Sequence, residues 1–288
     1  MRQPRCSLTD TEPWTCPTCH RAVSTPYCPI CGEQPLRARD LALRGLFEQL
    51  VQAFTQVDGR LLRSLRYLVS RPGSLTVAYL EGQRKAYVGP VPLFLIANVL
   101  FFAIESLTGG RVFTTPLDAH LHTQPWSPLA DTLVTRRLET IHSTIAVYAP
   151  LFNRAVALNA RSLIIVMALS FVIAPAILFH RSGRPVVAHA VFSLHLYTFL
   201  LLLFCVANVI PAVDRRLGGA GLASERLDHL ISIGLVIACA SYLTVAVKNV
   251  YGAAGVARAL KVVALTVVVV SIVLGYRFAL LLITLYTT

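Results

Sequence analysis

The chain has 288 residues, 55% hydrophobic and only 14% charged, with a formal net charge of +12 and a mean hydropathy of +0.64. An average soluble domain is about one-quarter charged, so this composition excludes an ordinary soluble globular protein and reads as a polytopic membrane protein. In that setting the excess of Lys and Arg, 26 against 14 acids, points to anionic lipid headgroups before nucleic acid.

Residues 1–40 hold no apolar core of the roughly 7–15 residues that a secretory signal needs, so the N-terminus is expected in the cytosol. Of seven cysteines, four form two Cys-x-x-Cys pairs, Cys16/Cys19 and Cys28/Cys31, within CPTCHRAVSTPYCPICG. Cys6 stands alone, and Cys205 and Cys239 fall inside apolar runs. A reducing compartment and a metal account for this pattern better than disulfides do. Four thiolates at this spacing close a tetrahedral shell around one structural zinc ion, leaving no open position for catalysis. His20 and Cys6 are alternative ligands, and a redox dithiol is the competing reading of the pairs. Between the outer cysteines Arg21 is the only charge and Tyr27 the only aromatic, which lacks the basic footprint of a nucleic-acid reader. The module reads as a small structural or docking unit, with a cytosolic protein as its partner.

From Leu41 to Val69 the residues Leu43, Leu46, Phe47, Leu50, Val51, Phe54, Val57, Leu61, Leu65 and Leu68 recur every three or four positions. This spacing predicts an amphipathic helix, broken in two at Asp58-Gly59, with Arg60, Arg63, Arg66 and Arg71 near its polar face. The helix either lies in the membrane interface or packs on the cytosolic ends of the spans, and both can hold at once. After the Pro72-Gly73 turn a short helix from Ser74 leads to Arg84, Lys85 and Tyr87, which form a candidate headgroup-binding site or a plain interfacial anchor.

Apolar runs predict five membrane spans, at about 91–107, 162–179, 186–210, 230–247 and 262–282, with an amphipathic helix around Leu129–Val147 in the long polar connection and a kink at Pro175. The expected fold is an all-α integral membrane helical bundle with a small N-terminal zinc ribbon and amphipathic interfacial helices. Its divisions are a ribbon at 1–38, basic juxtamembrane helices at 39–88 and the bundle at 89–288. The short turns carry Arg181 and Arg184, then Lys248, Arg258 and Lys261, which belong in the cytosol and leave the C-terminus outside. Arg136, Arg137, Arg154, Arg215 and Arg216 fall in the longer outer connections, where that rule is weak.

Four motifs appear in order: YCPICG, RPGSLTVAYLEGQRKAYVGP at Arg71–Pro90, HAVFSLHLYTFLLLL at His189–Leu203, and KNVYG at Lys248–Gly252. Together they resemble the bacterial family known as domain of unknown function 3667, over nearly the whole chain. The resemblance implies a zinc-ribbon protein of the bacterial inner membrane, in which the outside C-terminus expected from the basic turns is periplasmic, and it implies no activity.

Polar groups inside spans are costly, so each is a candidate for function or for packing. His189, Ser193 and Tyr197 are spaced four apart on one stripe of the third span, with His195 on another face. They read either as a relay or ligand site, or as interhelical hydrogen bonds. Asn98 and Glu105 share a face of the first span. Glu105 and Arg277 each lie roughly 21–23 Å along their spans, so they are expected to pair. With Asn98, these residues are the candidate polar pathway. No G-x-S-x-G, H-E-x-x-H or Walker loop is present. Two functions remain in view: transport or lipid handling, and a membrane-anchored zinc-ribbon interaction or regulatory module without transport.

Overall fold

A computed structural model describes residues 13–35, 59–110, 112–221 and 224–288. Cys6 and the first half of the amphipathic stretch lie outside them. In the ribbon, β1 (Trp14–Thr15) and β2 (Ala22–Val23) pair antiparallel with Trp14 opposite Val23. Among the described residues its buried core is Cys16, Val23 and Cys28, with Trp14, Cys19 and Cys31 packed against it. So small an apolar core cannot offset the chain entropy of folding unaided, and a metal is the usual remedy.

The helix α1 (Arg60–Ser70) buries Ser64 and Leu68 and rests Leu61 and Leu65 on the bundle. Its other side leaves Leu62 and Val69 exposed beside exposed Arg63 and Arg66. The packed side fits the expected seat on the ends of the spans, and Leu62 and Val69, seven residues apart, share the exposed face. Arg71 ends the helix, and Gly73 turns the chain into α2 (Ser74–Leu80). Gly73 has φ +82°, and a Cβ there would sit 2.9 Å from Ala246 Cα. Two demands meet at this position: a left-handed backbone and room for a neighbouring helix. Gly73→Ala should therefore cost about 2–5 kcal/mol in thermal unfolding of the purified protein. Gly183→Ala, also left-handed (φ +66°) but in open space, should cost only about 1–2 kcal/mol; equal losses would remove close approach as the reason for Gly73.

The bundle comprises α3 (Pro90–Thr108), short α4 (Leu117–His122), α5 (Ser127–Thr140), α6 (Ile145–Phe171), α7 (Ile173–Leu178), α8 (Val186–Arg216), α9 (Glu225–Tyr251) and α10 (Gly255–Thr287). The central helix is α8, with α3 packed along it, and α10 joins α6 and α9. Among the described residues, four helices are long and apolar enough to cross a membrane, or five if the bent pair Ile145–Ala160 and Ile164–Leu178 is one span. The outer surfaces of α9 and α10 expose Leu230, Ile233, Ile237, Val256, Leu260 and Val263, a surface that lipid accommodates and water does not.

The second apolar segment differs most from its sequence pattern. Hydropathy starts it at residue 162 and assigns Leu129–Val147 to a separate helix, whereas α5 stops at Thr140 and α6 begins at Ile145. Polar side chains explain the difference. The Asn153 amide oxygen accepts the Leu117 N–H (2.9 Å) and the Asn159 amide donates to the Thr284 hydroxyl (3.0 Å), so residues that depress hydropathy bind neighbouring elements. The expected kink at Pro175 is not where the bend falls: the pair is bent by 49° between residues 160 and 164, and Pro175 lies inside α7, after the interruption at Val172.

Candidate functional site

Two nearly identical knuckles build the ribbon. In the first, the His20 N–H donates to the Cys16 carbonyl (2.8 Å) and the Cys16 N–H to the Arg21 carbonyl (2.8 Å). In the second, Gly32 donates to Cys28 (2.8 Å) and Cys28 to Glu33 (2.7 Å). The same offset recurs in both, and His20 (φ +57°) and Gly32 (φ +71°) hold the same left-handed position. His20 is thus the turn residue of its knuckle, exposed to solvent, and the converging group consists of the four cysteines.

Their Sγ atoms all lie within 4.8 Å of one another. Cys16 is 3.4 Å from Cys31 and Cys19 is 3.5 Å from Cys28, each too far for a disulfide bond of about 2.05 Å. A tetrahedral thiolate shell with metal–sulfur bonds of about 2.3 Å places its sulfurs roughly 3.8 Å apart, so the arrangement fits one metal ion. Backbone N–H groups of Cys31 and Ile30 pull the Cys28 thiol down to about 6, which favours the thiolate that a metal requires. Burial pushes Cys31 the other way, up to about 12. Four sulfurs at these distances can surround one ion completely.

Glu33 ties the ribbon to the membrane-proximal chain. Only 3% exposed, its Oε2 accepts the Thr18 hydroxyl (3.0 Å) and the Lys85 N–H (3.0 Å). Of the candidate headgroup residues, Lys85 has an exposed side chain. Half-buried Arg84 lies over the Tyr79 ring at 5.3 Å, and Tyr87 packs on Tyr67 with ring centroids 5.2 Å apart. Burial, and then the neighbouring Tyr67, raise the Tyr87 hydroxyl above its ordinary value, so it stays neutral.

The motifs at Arg71–Pro90, His189–Leu203 and Lys248–Gly252 meet at the junction. Thr76 and His195 Nδ1 are hydrogen-bonded at 2.9 Å, and the Asn249 amide donates to the Pro72 carbonyl at 2.8 Å. The His189 Nδ1 and Tyr251 hydroxyl are 2.8 Å apart. Tyr251 stacks on Phe179 (3.9 Å, 5°), and the Lys261 ammonium caps that ring at 4.5 Å. Ser193 donates to the Ala168 carbonyl. The Tyr197 hydroxyl is buried without a hydrogen-bond partner among the described residues, its ring edge-on to Phe171. His189, Ser193 and His195 therefore bind three different elements.

At the far end of α3, Glu105 and Arg277 face a common strand of loop. Glu105 Oε1 accepts the Phe113 N–H (3.2 Å) and the Thr114 hydroxyl (3.5 Å), and Arg277 Nε donates to the Val112 carbonyl (3.0 Å). The two side chains are close enough to interact electrostatically, yet among the described residues no Glu105–Arg277 contact falls within 4.0 Å. Their expected common depth is thus realised through the loop backbone. Phe113 is fully buried between them, edge-on to Phe101, Phe204 and Tyr276. Asn98 is half-buried two turns before Glu105.

Several contact residues went unnoticed in the sequence: Thr18, Glu33, Thr76, Asn249, Tyr251 and His120. Thr76, Asn249 and Tyr251 sit inside the quoted motifs, which was their one signal. His120, wholly buried, accepts from Trp126 Nε1 at its Nδ1 (3.2 Å). Burial, then the Arg277 charge, lower it to about 4. A base whose folded value lies below its unfolded one, about 6.5, binds fewer protons folded than unfolded between the two values. Stability should therefore fall as pH drops from about 6.5 to about 4. His120→Phe should flatten that slope in thermal unfolding; an unchanged slope would assign it to other groups.

No curated protein and no solved structure matches the chain. Residues 58–102, which run from the start of α1 through the junction and into α3, match the family described as Protein of unknown function (DUF3667), the family that the junction motif resembles.

Proposed function

We propose that the protein is a membrane-anchored zinc-ribbon module, in which the helical bundle holds the ribbon and its basic junction at the cytosolic face of a bacterial inner membrane. One zinc ion held by Cys16, Cys19, Cys28 and Cys31 keeps the ribbon folded, and a cytosolic protein is its partner. The observation that carries this reading is the use made of the polar span residues. His195 holds α2 through Thr76, Asn249 holds the turn before it, and His189 and Ser193 fasten neighbouring helices. These groups act as interhelical links instead of lining a route.

The test compares the two functions directly. Reconstituted in vesicles containing a fluorescent anionic lipid, the protein should move that lipid between leaflets no faster than protein-free vesicles do. A photocrosslinker at Tyr27 or Ile30, each 58% exposed on the ribbon, should give one discrete adduct in native membranes, lost in the Cys16→Ser/Cys28→Ser variant. Lipid movement abolished by His189→Ala would instead establish transport and overturn the anchored module.

A further inference from the structure

Glu33 is an acidic side chain buried in a module with almost no core, and a buried polar group persists only where hydrogen-bond donors converge on it. Its donors come from two places. Thr18 lies inside the first knuckle, between Cys16 and Cys19, whereas Lys85 lies 52 residues away in the loop that leads into α3. The Glu33 main-chain carbonyl meanwhile accepts the Cys28 N–H of the second knuckle. Thus both halves of the metal shell position a single residue, whose carboxylate grips the juxtamembrane loop through a main-chain amide. A backbone donor requires the receptor to be correctly placed, since no flexible side chain can follow it.

We propose that the ribbon is a metal-dependent latch whose docking site is its own juxtamembrane loop, residues 81–89, with Glu33 as the binding residue. This deepens the anchored-module reading and rests on it. With metal bound, the knuckles hold Thr18 and Glu33 together and the Lys85 amide is engaged. Loss of metal unfolds the knuckles, because metal binding supplies the folding free energy of such modules. Glu33 then leaves the Lys85 amide, and the backbone around Lys85 can rearrange against anionic headgroups. The end of this loop has tethers that do not involve the ribbon, the Val88 N–H donating to the Ser64 hydroxyl of α1 (2.9 Å) and the Tyr87 ring on Tyr67. They confine the released segment to the residues before Tyr87.

Hydrogen exchange on the full-length protein in lipid nanodiscs tests the latch, with metal content measured on the same samples. Removing the metal with a chelator should speed exchange of the peptide spanning 81–87 at least about tenfold while peptides from α8 stay protected. Glu33→Ala should give the same faster exchange with its one metal ion retained, and Glu33→Gln, which keeps an acceptor oxygen, should fall between. Unchanged exchange after chelation, or unchanged exchange in Glu33→Ala, overturns the latch. So does loss of metal in Glu33→Ala, which would place Glu33 in service of the shell instead of the loop. None of these results depends on lipid transport or on the crosslinked partner, so the latch and the anchored module fail separately.

Discussion

Replacing Cys16 and Cys28 together by serine should remove the metal completely and open the ribbon to proteolysis, while the bundle keeps its thermal transition. The core of the ribbon contains two of its own ligands, Cys16 and Cys28, beside Val23. Metal binding in comparable small modules contributes on the order of 10 kcal/mol to folding, far more than burying one valine at about 1.5–3 kcal/mol. The bundle has a separate core and should lose no more than about 1 kcal/mol, the scale of a single hydrogen bond such as Glu33 to Lys85. Atomic emission and limited proteolysis with mass mapping read the two effects. Cys205→Ser and Cys239→Ser are the controls, since those thiols are buried in α8 and α9 and should leave metal content unchanged. Metal retained in the double variant would dismiss the four-sulfur centre.

The second large effect is expected at Arg277. Substituting leucine leaves the Val112 carbonyl without its donor and deprives buried Glu105 of a nearby positive charge. A buried charge that loses its compensation typically costs about 3–5 kcal/mol. Glu105→Gln keeps an oxygen to accept the Phe113 N–H and should cost only about 1–2 kcal/mol. A double-mutant cycle separates direct pairing from shared support of the loop. Because each side chain grips a different atom of residues 112–114, Glu105→Leu combined with Arg277→Leu should recover at most the cost of the uncompensated charge and stay about 2 kcal/mol or more below the unmodified protein. Unfolding measured in bicelles is the readout. If the double variant returned to within about 1 kcal/mol of the unmodified protein, a direct ion pair would be the better description.

What the sequence by itself determined follows from short-range rules. Cysteine spacing alone located the four-cysteine cluster, because a Cys-x-x-Cys knuckle closes within four residues. Apolar runs located α3, α8, α9 and α10, because partition into lipid depends on local composition. Tertiary structure decided where polar side chains find partners, a choice made between residues far apart in the chain. Hydropathy counts Asn153 and Asn159 against a helix, yet their bonds to Leu117 and Thr284 let α6 begin at Ile145. Depth along two helices brings Glu105 and Arg277 level, but only the path of the loop sets Val112 to Thr114 between them. Helical spacing puts His189 and Ser193 on one stripe, and packing then sends one to Tyr251 and the other to Ala168. Glu33 carries no local pattern at all; its role exists only because the fold brings Lys85 to it.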